Sequence, residues 1–356
     1  MRSNTITLIL FFAGCLFGTW ATAAGQTNAP APSAPANREP QLSANDLLAR
    51  AQKLYTSEGP KIALPEFEKA LAQFHQDGNQ KGEAITTGLI GNCYKKFGDF
   101  PKAEDFLQRA LAMKRAIGDR LEEGKTLSHL GLLHREMSDY QKAMEYYNSA
   151  IAIGRDLPDR VLEGSARNNL GLVYDDLGDY RASLEQYDRA LELYRGTNFE
   201  RGPADTLANI GGIPLMLGEY AKALGYYQQA LEIDERNQFK PGISVDLQNI
   251  GLAYIGLGRL PEALAAFDRS IKLASDAGLK KEEADSHKGK GSALLQLGKY
   301  SLAREEYARA LQVYEQAGLH QELVEGLNDL GNLELRLGDA VSAEREFNRA
   351  VDVARS

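Results

Sequence analysis

Residues 120–159 read RLEEGKTLSHLGLLHREMSDYQKAMEYYNSAIAIGRDLPD, and the same pattern returns at every fortieth residue on either side. Gly131 in this stretch has counterparts at Gly91, Gly171, Gly211, Gly251, Gly291 and Gly331. Seven residues further on stand Gly98, Gly178, Gly218, Gly258, Gly298 and Gly338, with Ser138 in the same column. Phe100, Tyr140, Tyr180, Tyr220 and Tyr300 follow, then Ala103, Ala143, Ala223, Ala263, Ala303 and Ala343 with Ser183 in line. Tyr147, Tyr187, Tyr227, Phe267, Tyr307 and Phe347 come next, and Ala110, Ala150, Ala190, Ala230, Ala310 and Ala350 close the unit. Columns held in one register over this length are the signature of a repeat architecture.

Each column has a physical reason. In the quoted unit, apolar spacing predicts a first helix over about 120–137 and a second over about 140–155. Ser138-Asp139 makes the turn between them, and its counterparts use a glycine, which leaves a helix through a left-handed residue without strain. Gly131 lies inside the first helix, where glycine costs ~1 kcal/mol relative to alanine. Its regular return implies that the second helix comes close there. Ala143 and Ala150 are the small faces of that second helix, and Tyr147 fills the space between the two. Asp119 with Glu122 has the spacing of a capping box at the start of a helix.

These residues resemble the tetratricopeptide repeat: a small Gly, then Tyr, Ala, an aromatic and Ala on a helix-turn-helix. The usual period is 34 residues; the extra length here falls between one unit and the next, as in AIGDRLEEG and DLPDRVLEG. With NNLG at 168–171 and NIG at 209 and 249, the array looks like the animal spindle-orientation adaptors and, more distantly, kinesin light chains. The resemblance implies an all-α fold, a right-handed superhelical solenoid of antiparallel helix pairs. A degenerate first unit keeps Phe67 and Ala70 in register and has Ala51 in place of the first glycine. About eight units are therefore expected over residues 43–356.

The first residues differ in kind. Residues 1–5 carry Arg2, residues 6–20 are largely apolar and uncharged, and Ala21-Thr22-Ala23 offers small residues at a cleavage point. This layout reads as a signal peptide over 1–24, and the apolar run is shorter than the ~20 residues that span a bilayer. Phe12-Ala13-Gly14-Cys15 is an imperfect lipobox, so a lipid anchor on Cys15 is the alternative to cleavage. Residues 25–42, rich in Ala and Pro, read as a disordered linker. Export to the periplasm or the exterior is the expectation, with a membrane-anchored lipoprotein as its alternative.

In such a solenoid the first helix of each unit lines the inner, concave wall. Two of its columns are polar: Ser128, Asn168, Gln248, Lys288 and Asn328 in one, and His129, Asn169, Asn209, Asn249 and Asp329 in the other. Asn and Gln carry both donors and acceptors and can pair with any peptide backbone. The resemblance implies that Asn168, Asn169, Asn209 and Asn249 hold the main chain of a ligand. Their other use would be to solvate the wall or to bridge adjacent helices. A third column passes from Lys95, Arg135 and Asp175 to Leu215, Ile255, Leu295 and Leu335. It predicts a groove that is charged at one end and apolar at the other, unless neighbouring helices cover these residues. Pro214, inside its helix, predicts either a kink or a tolerated defect. Lys290 stands where other units carry Leu or Ile.

Other functions find little support. A formal net charge of −8 gives no basic surface for nucleic acid. Cys15 and Cys93 make neither a disulfide scaffold nor a zinc framework, and the five histidines have no metal-ligand spacing. Lys288-Gly289-Lys290-Gly291-Ser292 faintly resembles a phosphate loop, but no strand precedes it. The expectation is a scaffold with no catalytic residues, cofactor or metal, whose partner is a protein or peptide bound in the groove. The alternative is a self-associating envelope component, using the C-terminal helix, where Val351 and Val353 occupy the columns of Ile151 and Ile153.

Overall fold

A computed structural model describes residues 42–355, so the proposed signal peptide and all but the end of the linker lie outside the described residues. Sixteen helices and no strands are found there. They are α1 (Ala44–Ser57), α2 (Pro60–Gln76), α3 (Gln80–Lys96), α4 (Phe100–Ala116), α5 (Arg120–Glu136), α6 (Tyr140–Asp156), α7 (Arg160–Asp176) and α8 (Tyr180–Tyr194). Then come α9 (Arg201–Met216), α10 (Tyr220–Arg236), α11 (Lys240–Gly256), α12 (Leu260–Ala277), α13 (Lys280–Gln296), α14 (Tyr300–Ala317), α15 (His320–Arg336) and α16 (Ala340–Arg355). None is long and apolar enough to cross a membrane.

The glycine column marks where helices of a pair meet. A Cβ on Gly131 would stand 2.7 Å from the Tyr147 ring, and one on Gly171 2.5 Å from Tyr187. Gly211 and Gly251 meet Tyr227 and Phe267 in the same way, at 2.8 and 2.6 Å. The ring of the second helix lies on the bare backbone of the first, and this close packing offsets the helix cost of glycine. Tyr147, Tyr187 and Tyr227 are buried, as are Ala103, Ala143, Ala223 and Ala263. In the first unit Ala51, Phe67 and Ala70 fill the same places. Cys93 is a packed core residue whose burial pushes its thiol up to about 11.

Turns and caps set the period. Ser138 takes φ 60° where its counterpart Gly178 takes φ 74°. Asp119, Asp139, Asp159 and Asp179 each accept a hydrogen bond from the backbone N–H three residues on, at 2.8–3.3 Å. The expected capping box at Asp119 is only half formed, because Glu122 turns to Lys125 and Lys114. The reciprocal box occurs at Ser43 and Asp46, which starts α1.

Each helix packs on the next one in the chain. From α1 to α13, each odd helix also touches the following odd helix, whereas no two even helices make comparable contact. The odd helices therefore form the inner row and the even helices fan outward, which is the curvature of a solenoid.

Two irregularities stand out. Residues 195–200, between α8 and α9, lack the repeated turn. The buried core that runs unbroken from Ala103 to Val173 stops before this point, and Tyr187, Ile210 and Ile213 form a separate cluster. Pro214 is buried two residues from the end of α9, and the helix runs through it, so the defect is tolerated.

Candidate functional site

The inner wall is built from the odd helices, and its contacts follow a rule that columns do not reveal. Side chains bridge units at a spacing of 41 residues: Lys95 to Glu136, Arg135 to Asp176, Asn168 to Asn209 and Lys281 to Glu322. Others bridge at 37 residues, Asn92 to His129 and Lys288 to Glu325, so facing side chains of successive odd helices fall on either side of the forty-residue repeat.

This spacing divides the expected asparagine ladder. Asn209 Nδ2 donates to Asn168 Oδ1 at 3.1 Å, so these two bridge α7 and α9. Gln248 Nε2 likewise donates to the Glu282 carbonyl at 2.8 Å and to Ser286 Oγ at 3.0 Å, tying α11 to α13. Asn169 and Asn249 are half-buried, and among the described residues their side chains make no hydrogen bond with the protein. Lys288 pairs with Glu325 at 3.1 Å, and Asn328 is exposed.

Arg135 binds Asp176 through two bonds, Nε to Oδ2 at 2.6 Å and Nη2 to Oδ1 at 2.9 Å. Asp175 stands beside this pair, and burial, then Asp176, raise its carboxyl above the usual range against the pull of Arg135. The apolar end of the same column is covered in part, since Leu335 is 52% exposed. Leu215, Ile255 and Leu295 are half-buried and pack against core clusters of the adjoining helices. Further exposed apolar surface on the wall comes from Met216, 69% exposed, and from Leu252. Leu252 was signalled by its place one helical turn past Gln248 and Asn249, a column that also holds Leu132 and Leu172.

Toward the C-terminal end a cleft of about 390 Å³ opens across α11, α13 and α15. Asn249, Leu252, Asp285, Lys288, Ser292 and Asp329 line it. It mixes an unbonded amide, an exposed leucine and both signs of charge, and so it can take a polar main chain with an apolar side chain. Burial is the main cause that raises the Asp329 carboxyl, with Lys288 opposing and Glu325 reinforcing the shift.

The phosphate-loop stretch is helix within α13, and Lys290 has a structural use. Its ammonium sits 2.7 Å from Asp268 and 3.2 Å from buried Glu306. His287 meets Glu306 at 2.6 Å. The buried Glu306 carboxylate thus accounts for a lysine at position 290. Among the described residues no group of three or more His, Cys, Asp or Glu side chains is arranged to hold a metal ion.

Comparison with known proteins agrees with the repeat. Models of the tetratricopeptide repeat match residues 46–116, 122–196, 203–276 and 282–356, and a second such model matches 168–237. A search of curated proteins finds no significant match. Among solved structures, the apo form of the quorum sensor NprR from B. thuringiensis is similar with TM-score 0.63 and 19% identity, over 86% of each chain. The Rap conjugation gene regulator of the plasmid pLS20, in complex with the Phr* peptide, gives TM-score 0.62 and 13% identity over 88% of this chain and 95% of that one. A Rap protein complexed with competence and sporulation factor gives 0.61 and 16%, over 88% of this chain and 97% of that one. At these identities the likeness is one of fold.

Proposed function

Because the chain belongs to the tetratricopeptide repeat family, we propose that its inner wall holds an extended polypeptide segment and that it works as a scaffold rather than a catalyst. The observation that carries this reading is the pair of unbonded wall amides, Asn169 and Asn249, the latter lining the cleft with Leu252. Amides of this kind can bond a ligand's main chain with little sequence preference. The similarity to a fold solved in complex with a peptide supports the same reading.

The test is retention of a random octapeptide pool by the full chain and by the Asn169→Ala/Asn249→Ala double variant. Each hydrogen bond lost is worth ~0.5–1.5 kcal/mol, so about ten-fold weaker retention at unchanged helicity is expected. Undiminished retention would move the binding surface elsewhere.

Export to the cell envelope is part of the proposal and rests on residues 1–24. Trp20 is the one tryptophan, so cleavage after Ala23 or Ala24 removes it, while lipidation at Cys15 keeps it. Intact mass and tryptophan emission of protein from its native envelope distinguish the two.

A second reading, self-association, has its own observation. Val351 is 46% exposed at the end of the array, whereas its counterpart Ile151 is 4% exposed. Solenoid ends usually carry a polar cap. If α16 pairs with a second copy, Val351→Glu should give a monomer in sedimentation. A wild-type protein that is monomeric at high concentration would exclude this reading.

A further inference from the structure

The unit α7–α8 departs from the repeat in charge. Arg167 stands where Leu127, Leu207, Leu247 and Leu327 stand in other units, and Gln186 stands where Tyr146 and Tyr226 do. Leu127, Leu247 and Leu327 are buried, so the fold asks for an apolar side chain at this position. Arg167 is packed in all the same, its side chain 12% exposed. It donates from Nη1 to Gln186 Oε1 at 2.8 Å and from Nε to Glu163 Oε1 at 2.9 Å. A buried cation in place of a leucine is no gain for stability, so it points to another use.

The extra cation changes its surroundings. In the preceding unit Glu123 takes Arg115 at 2.8 Å and Arg120 at 2.7 Å. The counterparts are Glu163, Arg155 and Arg160. Glu163 takes Arg155 at 3.0 Å, but its second cation is Arg167. Arg160 is left without a carboxylate partner among the described residues and donates to the Glu192 main-chain carbonyl at 2.9 Å. Arg155, Arg160 and Arg189 are exposed and line one cleft of about 580 Å³ formed by α6, α7 and α8, with Arg167 in its lining. Arg155 bonds through Nε alone, and Arg189 through Nη1 alone, to Glu192 Oε2 at 3.0 Å. Three guanidinium groups thus offer unused N–H donors to one open space, and Glu185 is the one carboxylate of the lining without a partner.

The three guanidinium groups match the three terminal oxygens of a phosphoryl group, whereas a carboxylate has two. Of the residues that line the cleft only Leu193 is apolar and none is aromatic. Nothing there would stack a base or hold an acyl chain, so the ligand is the charged group itself. We propose that this cleft binds a small phosphoryl anion, with pyrophosphate filling its volume better than phosphate. The cleft contains none of the inner-wall residues, and the assignment does not depend on peptide binding there.

Calorimetric titration of the full chain with pyrophosphate, inorganic phosphate and citrate, at one ionic strength, tests this. Pyrophosphate should bind saturably, more tightly than phosphate and about ten-fold more tightly than citrate, which carries similar charge on carboxylates. Arg160→Gln changes an exposed side chain and should weaken pyrophosphate binding about ten-fold. Arg167→Leu restores the residue of the other units, so the fold should hold. Glu163 can then take Arg160 as Glu123 takes Arg120, and binding should fall here too. Arg120→Gln, in the balanced cluster of the preceding unit, should leave binding unchanged. No saturable binding of pyrophosphate, or equal binding of citrate, would overturn the phosphoryl site. Undiminished binding by Arg160→Gln and Arg167→Leu would overturn it as well. An equal loss in Arg120→Gln would reveal a general effect of charge, and the proposal would fail.

Discussion

The joints α4–α5 and α10–α11 occupy the same place in the repeat and are built with opposite charges. In the first, buried Lys114 donates to Thr126 Oγ1 at 2.7 Å and lies 3.4 Å from Glu122. Burial draws this ammonium below its ordinary pKa, and Glu122 pulls it back. In the second, the counterparts are Asp234 and Asp246, only 2% and 3% exposed, each with an unpaired buried oxygen. The nearby cation, Arg201, is taken by Asp205 at 3.1 Å and by the face of Phe239. Burial, then Asp205, push Asp234 up to about 6, while burial, then Asp234 and Asp205, push Asp246 up to about 8. Both joints share the alanine and glycine columns, Ala110 with Ala230 and Gly131 with Gly251. The backbone is therefore fixed by small residues, and the polar filling varies freely. One filling is paired, and the other is neutral only while it holds its protons.

The strongest challenge to this comparison is to the packing itself. Tyr147→Ala and Phe267→Ala should each cost ~3–5 kcal/mol near pH 6, because the two rings lie on the equivalent glycines Gly131 of α5 and Gly251 of α11. Chemical denaturation checks this. A much smaller cost at Phe267 would mean that the packing on α11 is already loose, and that the joints differ in more than charge.

The next largest effect is the pH dependence. A carboxyl in the unfolded chain titrates near ~3.9. The folded values of Asp234 and Asp246 are higher, so their contribution is fully present below pH ~4 and is lost as pH rises through about 8. Asp246→Asn should remove most of this loss. The variant should be more stable than the wild type at pH 9 by roughly 2–4 kcal/mol, with a smaller difference at pH 5. Parallel stability profiles for the two proteins would show that the acid pair is not coupled to folding.

The first joint supplies the control. Lys114→Met replaces a buried cation by an apolar chain of similar length and should change stability by no more than ~1 kcal/mol. Its profile between pH 5 and 9 should run parallel to that of the wild type.

The smallest effect concerns the turns. Ser138 and Gln238 hold φ of 60° and 55°, the latter just before α11. Ser138→Gly and Gln238→Gly relieve a strain of ~1–2 kcal/mol, partly offset by the greater freedom of glycine in the unfolded chain. A gain of about 0.5–1 kcal/mol in each is expected from denaturant midpoints. No gain at Gln238 alone would set the second joint apart in its backbone too.

Much of this fold was legible because glycine, alanine and aromatic columns have steric causes that sequence displays directly. The site was less so. Asn209 reads as a rung, yet it bonds Asn168, because side chains bridge neighbouring units at 37 and 41 residues while the columns repeat at forty. That spacing is a property of how helices slide on one another and leaves no mark in any single column. For Leu215, Ile255 and Leu295 the sequence left open a groove or cover by neighbouring helices, and they are half-covered. The joint at Asp234 and Asp246 passed unnoticed, since their separation in sequence gives no sign that α10 and α11 bury them together.

Residues 195–200 carry a consequence for cooperativity. Where contacts run only between neighbours, a weak interface uncouples what lies on either side. The core from Ala103 to Val173 ends before this stretch, and only the small cluster of Tyr187, Ile210 and Ile213 reaches across it. The contact of α8 with α9 is the sparsest between successive helices, so the two sides are expected to unfold as blocks with separate midpoints, which calorimetry checks. Ligand held on both sides of the break would join the blocks and make them melt as one.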